Sequence, residues 1–362
     1  MKKTLLILAA LLAIHGSYGQ TANRYDIIGY YSGDGKSLSA YPIEKLTQLI
    51  FSFLHLKGNE LAFDNEQRKQ DLLEIVALKN KRNPSMKVLI SLGGWGGCAT
   101  CSPVFATAEN RQAFANSVLQ ILQTTQTDGI DLDWEYPTIP GPPGHPYSAD
   151  DKANFTDLIQ RLRTTMGDKY ELSFAAGGFD TFIAQSVDWA AVTPLVNRIN
   201  LMTYDLINGY SKVTGHHTAL YSRPSQKEST DNCVQQLLKL GVPANKLVIG
   251  AAFYSRVWAN VAATNNGLDQ SGQHTAGVSY KHFQEKLTPA QGFTAYWDDT
   301  AKATHFYNAE KQLFATTDDP QSIKAKVAYM KKYGLGGIMF WELREDAPVN
   351  GLLSVVEAAV KE

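Results

Sequence analysis

Short, almost wholly apolar runs recur along the chain at 26–31, 48–55, 87–94, 129–136, 171–178, 198–206, 246–254 and 336–343. Between most of them the apolar positions take a helical spacing, clearest over 66–79, 109–125, 149–165, 230–240 and 321–333. Strands apolar at nearly every position are strands buried on both faces. Eight of them alternating with helices predict the α/β class, a (β/α)8 barrel closed within one domain rather than an open doubly wound sheet. One connection breaks the rhythm. About 80 residues separate Tyr254 from Gly336, far more than a barrel crossover uses. Its end, 318–333, reads as the expected helix, whereas 258–317 carries short aromatic-rich pieces such as Val278-Ser279-Tyr280 and Thr294-Ala295-Tyr296-Trp297. That stretch is expected to form a small α+β insertion between strands seven and eight, walling one side of a cleft.

The fourth apolar run departs from its pattern in one way. Asp131, Asp133 and Glu135 occupy i, i+2 and i+4 positions, alternating with Ile130, Leu132 and Trp134. Side chains two apart on a strand share a face, about 6.6 Å from one to the next, so the three acids are expected to form one column. Aspartate is depleted in strands, and like charges held together in a partly desolvated place push at least one carboxyl pKa upward. That is how a carboxyl group stays protonated to act as a general acid. A Ca²⁺ loop does not fit, because Gly129 stands at the wrong offset and the segment is extended where such a loop must turn. Glu135 falls at the C-terminal end of the strand, where barrels of this kind carry their active sites. The other strand ends bring Tyr30, Tyr31, Phe53, Trp95, Tyr204-Asp205, Tyr254 and Trp341 to the same level, an aromatic set suited to the apolar faces of sugar rings. Residues 137–146, with five prolines, form a stiff loop directly after Glu135.

Composition narrows the partners. The chain of 362 residues is 44% hydrophobic and carries a net charge of −1, so nothing in it recruits nucleic acid or an anionic membrane, and a monomer is expected. Residues 1–19 begin with Lys2 and Lys3, continue with an apolar core from Leu5 to Ile14, and end in Ser17-Tyr18-Gly19. This is the layout of a signal peptide, predicting secretion or release to the periplasm with a mature chain from Gln20. In an exported protein Cys98 and Cys101 are expected to form a local disulfide, since no second pair or histidine cluster completes a metal site. Cys233 reads as a buried apolar residue. No cofactor or metal is expected.

The segments Asp128-x-x-Asp131-x-Asp133-x-Glu135, Ser91-Leu-Gly-Gly-Trp95, Met202-Thr-Tyr-Asp205, Tyr254-Ser-Arg256 and Gly337-Ile-Met-Phe-Trp341, in that fold order, resemble a chitinase of glycoside hydrolase family 18 over nearly all of the mature chain. The resemblance implies secreted hydrolysis of β-1,4-linked N-acetylglucosamine in chitin or chito-oligosaccharides, retaining and substrate-assisted. It implies Glu135 as acid and then base, Asp133 orienting the acetamido N–H, Asp131 sharing a proton with Asp133, and Tyr204 bonding the acetamido oxygen. Asp205, Trp341, Trp95, Tyr31, Phe53, Tyr254 and Arg256 would bind substrate, and Asp128 would be structural. Thr127, Ser255 and Thr317 depart from the family pattern away from the acid. Two other readings share the motif: an endo-β-N-acetylglucosaminidase acting on N-glycans, and a non-catalytic chitin-binding lectin. Tyr204-Asp205, Trp341 and the long insertion favour a chitinase over the first, and an intact Glu135 favours an enzyme over the second.

Overall fold

The computed structural model describes residues 25–362; the signal-peptide expectation over 1–19 lies outside them. In chain order the strands are β1 (Asp26–Tyr31), β2 (Gln48–Lys57), β3 (Glu60–Ala62), β4 (Lys87–Gly93), β5 (Gly129–Asp133), β6 (Glu171–Gly177), β7 (Arg198–Met202), β8 (Leu247–Ala252), β9 (Tyr254–Ala259), β10 (Gln273–Ser279), β11 (Thr294–Asp298), β12 (Ala303–Asn308), β13 (Leu313–Thr317) and β14 (Gly337–Trp341). Eight of these run parallel in the order β1-β14-β8-β7-β6-β5-β4-β2, and β1 also pairs with β2, which closes the barrel. The short β3 only extends β2 as a hairpin.

The alternation along each strand divides the apolar residues into two layers. Ile28, Tyr30, Ile50, Leu89, Ala175, Met202, Val248 and Met339 fill the barrel interior, while Ile27, Tyr31, Leu49, Val88, Ile130 and Ile338 face the helical shell. The principal helices are α1 (Glu66–Arg82), α2 (Ala108–Thr125), α3 (Asp151–Met166), α4 (Thr230–Lys239), α5 (Pro320–Tyr333) and α6 (Leu352–Lys361). Their starts follow local chemistry: the Asn65 and Thr107 side chains accept from the N–H groups of Arg68 and Asn110, and Asp319 with Ser322 forms a reciprocal cap ahead of Pro320.

Between β8 and α5 the chain builds a five-stranded antiparallel sheet in the order β10-β9-β13-β12-β11. It starts at Tyr254, directly after the barrel strand, upstream of the position 258 expected from the pattern. Two small apolar clusters flank it, one around Val257, Phe283, Phe293 and Ala315 and one around Trp258, Leu268, Tyr307 and Phe314. The junction with the barrel is welded by a buried ion pair. Asp318 accepts from Lys326 Nζ at 2.7 Å, Thr218 Oγ1 at 2.9 Å, Ser322 Oγ at 2.7 Å and the Ala252 N–H at 2.9 Å. Asp318→Ala leaves Lys326 as an unpaired cation with no exposed surface, so a loss of about 3–5 kcal/mol in urea unfolding is expected; an unchanged midpoint would show that the pair carries no stability.

Candidate active site

Asp131 and Asp133 lie in β5 with Ile130 and Leu132 turned outward into the shell. The ladder ends at Asp133. Glu135 therefore stands beyond it, at the start of the loop that leaves the barrel, so the expected column is two strand carboxylates and a third that continues it. The pattern overran the strand because Trp134 is apolar for a different reason: its ring packs against Phe105 and Phe155.

The three acids are buried in unequal surroundings. Asp131 accepts from Tyr30 Oη at 3.0 Å, Ser91 Oγ at 3.2 Å, Ser173 Oγ at 2.6 Å and Asn200 Nδ2 at 3.0 Å. Burial raises its pKa, and the four donors pull against that rise. They also fill the acceptor capacity of a carboxylate. Asp133 has one oxygen, Oδ1, with no hydrogen-bond partner. Burial first, then the charges of Glu135 and Asp131, push its pKa well above the carboxylate range. Glu135 is raised to about 7, chiefly by burial, with a hydrogen bond from Tyr136 opposing and the charge of Asp205 adding to the rise. The charges of Glu135 and Asp131 thus both bear on Asp133.

The loop after β7 supplies the opposite side. The Tyr204 hydroxyl is 3.9 Å from Met339 Sδ, a weak partner, and burial together with the Asp133 and Glu135 charges keeps the phenol protonated. Asp205 follows with φ +53° and is held by Arg256 at 2.7 and 2.6 Å and by Tyr254 Oη at 2.9 Å. Burial alone would raise its pKa, but the hydrogen bonds and charge of Arg256, with His217 close by, outweigh it and hold Asp205 well below the usual range. His217 Nδ1 stands 3.5 Å from Asp205. Below, Trp341 stacks with Phe53 at 5.5 Å and tilts against Tyr30 at 6.0 Å. At the rim, Trp95 is 52% exposed and stands 6.4 Å from Tyr136 and 6.5 Å from Tyr210.

Most of the expected residues thus converge on the C-terminal mouth of the barrel, with two exceptions. Tyr31 is fully buried in the outer layer and donates its hydroxyl to the Asp34 carbonyl at 2.7 Å. Strand parity makes Tyr30, not Tyr31, the inward residue, so Tyr31 is removed from the substrate-binding set. Asp128 lies at the other end of β5, accepting from the Val88 N–H at 2.7 Å and pairing with Lys79 at 3.4 Å, a structural place. Arg256 and Tyr254 reach the site through Asp205. Cys98 and Cys101 are bridged, and Cys233 is free and buried. Of the adjacent histidines, His216 pairs with Asp298 at 3.1 Å. Among the described residues no group of three or more His, Cys, Asp or Glu side chains is arranged to hold a metal ion.

In the sequence Tyr30 stands only as a strand-end aromatic, and Ser91, Ser173 and Asn200 carry no role, although a signal exists: polar atoms on inward positions of otherwise apolar strands. Tyr136 and Tyr210 had none, since both lie where the chain has left the ladder and parity no longer applies.

The family model for glycosyl hydrolases family 18 matches residues 26–346. Chitinase A1 of Niallia circulans is 38% identical over 288 residues, covering 73% of this chain and 41% of the relative, so the chain spans less than half of that protein. Chitinase B of Serratia marcescens is 29% identical over 429 residues, covering 95% of this chain and 83% of the relative. Among solved structures, a family 18 N-acetylglucosaminidase from Paenibacillus barengoltzii matches with a TM-score of 0.84 at 34% identity, over 93% of this chain and 100% of that one. With the match running through all eight barrel strands and the Asp131–Glu135 segment, the chain belongs to glycosyl hydrolases family 18 and is a glycoside hydrolase.

Proposed function

We propose that the protein cleaves β-1,4 linkages between N-acetylglucosamine units of chitin and chito-oligosaccharides, with retention and with the substrate's own acetamido oxygen as nucleophile. The observation that carries this reading is the unequal state of the carboxyl groups. Glu135 alone combines a pKa of about 7 with a place at the barrel mouth. Asp131 is saturated by four donors and Asp205 is locked to Arg256, so neither is free to attack an anomeric carbon. In this scheme Glu135 protonates the glycosidic oxygen. The acetamido carbonyl then closes on the anomeric carbon, expelling the leaving sugar as its C–O bond breaks, and Glu135 takes a proton from the water that reopens the ring. Asp133, with its unpartnered oxygen, holds the acetamido N–H, and Tyr204 donates to the acetamido oxygen. Trp341 and Phe53 form the floor, Asp205 contacts the sugar at the cleavage point, and Trp95 stacks on a unit beyond it.

Anomeric NMR of the first products of a chito-oligosaccharide tests the reading. The β-anomer is expected; the α-anomer, or release of intact N-glycans without cleavage of chitotetraose, would overturn it. The chain lengths released also tell single-sugar removal, the activity named for the Paenibacillus barengoltzii relative, from internal cleavage. Because the acid form of Glu135 is needed, kcat is expected to fall as pH rises through about 7; a profile flat to pH 9 would assign the acid elsewhere.

We also propose export, on the layout of residues 1–19. Sequencing of the secreted protein is expected to begin at Gln20, and retention of Met1 would refute it.

A further inference from the structure

Trp95 sits between glycines, in Gly93-Gly94-Trp95-Gly96-Gly97. Gly93, Gly94 and Gly96 have φ of +107°, +80° and +90°, a region that L side chains rarely enter. Four glycines lose more backbone entropy on ordering than any other four residues would, and Trp95 itself is half exposed. A stacking platform on such a segment needs anchors. Upstream, the Gly94 N–H donates to the Asp133 carbonyl at 3.0 Å, and the Phe53 ring lies 2.3 Å from where a Cβ on Gly94 would stand.

Downstream the anchor is the Cys98–Cys101 disulfide. Both cysteines are buried, and Cys98 Sγ lies 3.2 Å from where a Cβ on Gly93 would be, so the bridge folds back under the glycine run. Cys101 opens a short helix, Cys101–Phe105, whose Phe105 packs on Trp134 and Phe114. The next residue, Ser102, donates to Asp151 Oδ1 at 2.9 Å. Asp151 is fully buried, and its Oδ2 accepts the N–H groups of Ser148 at 2.7 Å and Thr138 at 3.3 Å. Those residues belong to the loop after Glu135, which turns back so tightly that a Cβ on Gly141 would lie 2.1 Å from the Glu135 carbonyl oxygen. A continuous chain of contacts therefore runs from the Trp95 segment to the backbone of Glu135.

We propose that the Cys98–Cys101 disulfide, with Ser102 and Asp151, is a brace that sets the Trp95 ring at a fixed place relative to Glu135, making these four residues positioning residues for sugar units bound beyond the cleavage point. The proposal rests on the chito-oligosaccharide reading above. The brace touches no substrate. It acts by keeping the platform ordered before binding, so that the ordering entropy of the glycine segment is not charged against affinity.

The test is a mutant cycle on the full chain, comparing wild type, C98S/C101S, W95A and the triple variant. Each is assayed with an N-acetylglucosamine hexamer and with a short chromogenic chitobioside that has no sugar on the leaving-group side. For C98S/C101S the hexamer KM is expected to rise about tenfold with kcat within about twofold, and the chitobioside constants are expected to stay within about twofold. In the W95A background, removal of the disulfide is expected to change the hexamer KM no further. Additive effects, or an unchanged hexamer KM in C98S/C101S, overturn the brace while leaving the function standing; a wild type that cleaves neither compound overturns the function and the brace with it. If circular dichroism shows C98S/C101S unfolded, Ser102→Ala, which breaks the brace at one hydrogen bond, carries the same cycle with the same outcomes.

Discussion

Glu135→Gln is expected to lower kcat on chito-oligosaccharides by roughly 10²–10⁴-fold, the usual contribution of a positioned general acid and base, with oligosaccharide binding retained. The amide keeps the shape of the side chain and its contact with Tyr136 but has no proton of suitable acidity to give. A second readout separates this from a local folding defect. The ordinary glutamic acid pKa is 4.5, and in the fold it is about 7. Between those values the unfolded chain gives up the proton and the folded chain retains it, so stability falls as pH rises through that window. About 3 kcal/mol is lost by pH 8 to keeping this one buried group ionised. Gln at 135 removes the term. The variant is thus expected to unfold at a higher temperature than wild type at pH 8, and at nearly the same temperature as wild type at pH 4. Equal melting at pH 8 together with retained turnover would take the proton-transfer role away from Glu135.

Asp133→Asn is expected to lower kcat by roughly 10²–10³-fold, as loss of one preorganised electrostatic contact does, with little change in KM. Its carboxyl is the member of the column with an unpartnered oxygen, Oδ1, and the Glu135 charge is one cause of its raised pKa. Asn retains a hydrogen-bond acceptor for an acetamido N–H but no charge to stabilise the positive intermediate. The Glu135 charge is a cause of the raised Asp133 pKa, whereas Glu135 is raised by burial and by the Asp205 charge. The falling limb of the pH–rate profile is therefore expected to stay in place in Asp133→Asn. A limb that moves to lower pH would show that the Asp133 charge also bears on Glu135. Partly deacetylated oligomers give an independent check, because a unit lacking the acetamido group at the cleavage point is expected to resist wild type and variant alike.

The barrel was legible because both of its signals are periodic: eight doubly buried strands and five amphipathic helices were found within a few residues of their observed bounds. The errors share a cause. Runs over 129–136, 198–206 and 336–343 were drawn too long because the residues just past each ladder, Trp134, Tyr204 and Leu343 among them, are apolar or aromatic for packing or for the site. Tyr30 and Tyr31 are adjacent aromatics that the pattern does not tell apart, and one side chain of phase moves a residue from the barrel interior to the helical shell. The places of Asp131, Asp133 and Glu135 are legible because acids in an apolar setting are costly without a task, whereas Tyr204 is singled out only through the family resemblance. Tyr136, Tyr210 and the partners of Asp205 depend on how loops and the antiparallel sheet fold over the mouth, which no local period encodes.

Asp131 draws its four donors from four strands, β1, β4, β6 and β7, around its own β5. Five of the eight barrel strands thus report their register to one carboxylate. A slip by a single residue in any of them would turn its donor into the helical shell and leave a buried acid under-satisfied, a penalty of about 1–3 kcal/mol or more. The residue at the foot of the catalytic column therefore also works as a gauge of correct closure, discriminating the proper barrel from its neighbours in register. Molecules that pass that gauge already hold Asp133 and Glu135 in place, so specific activity after refolding should track the fraction of closed barrels one for one.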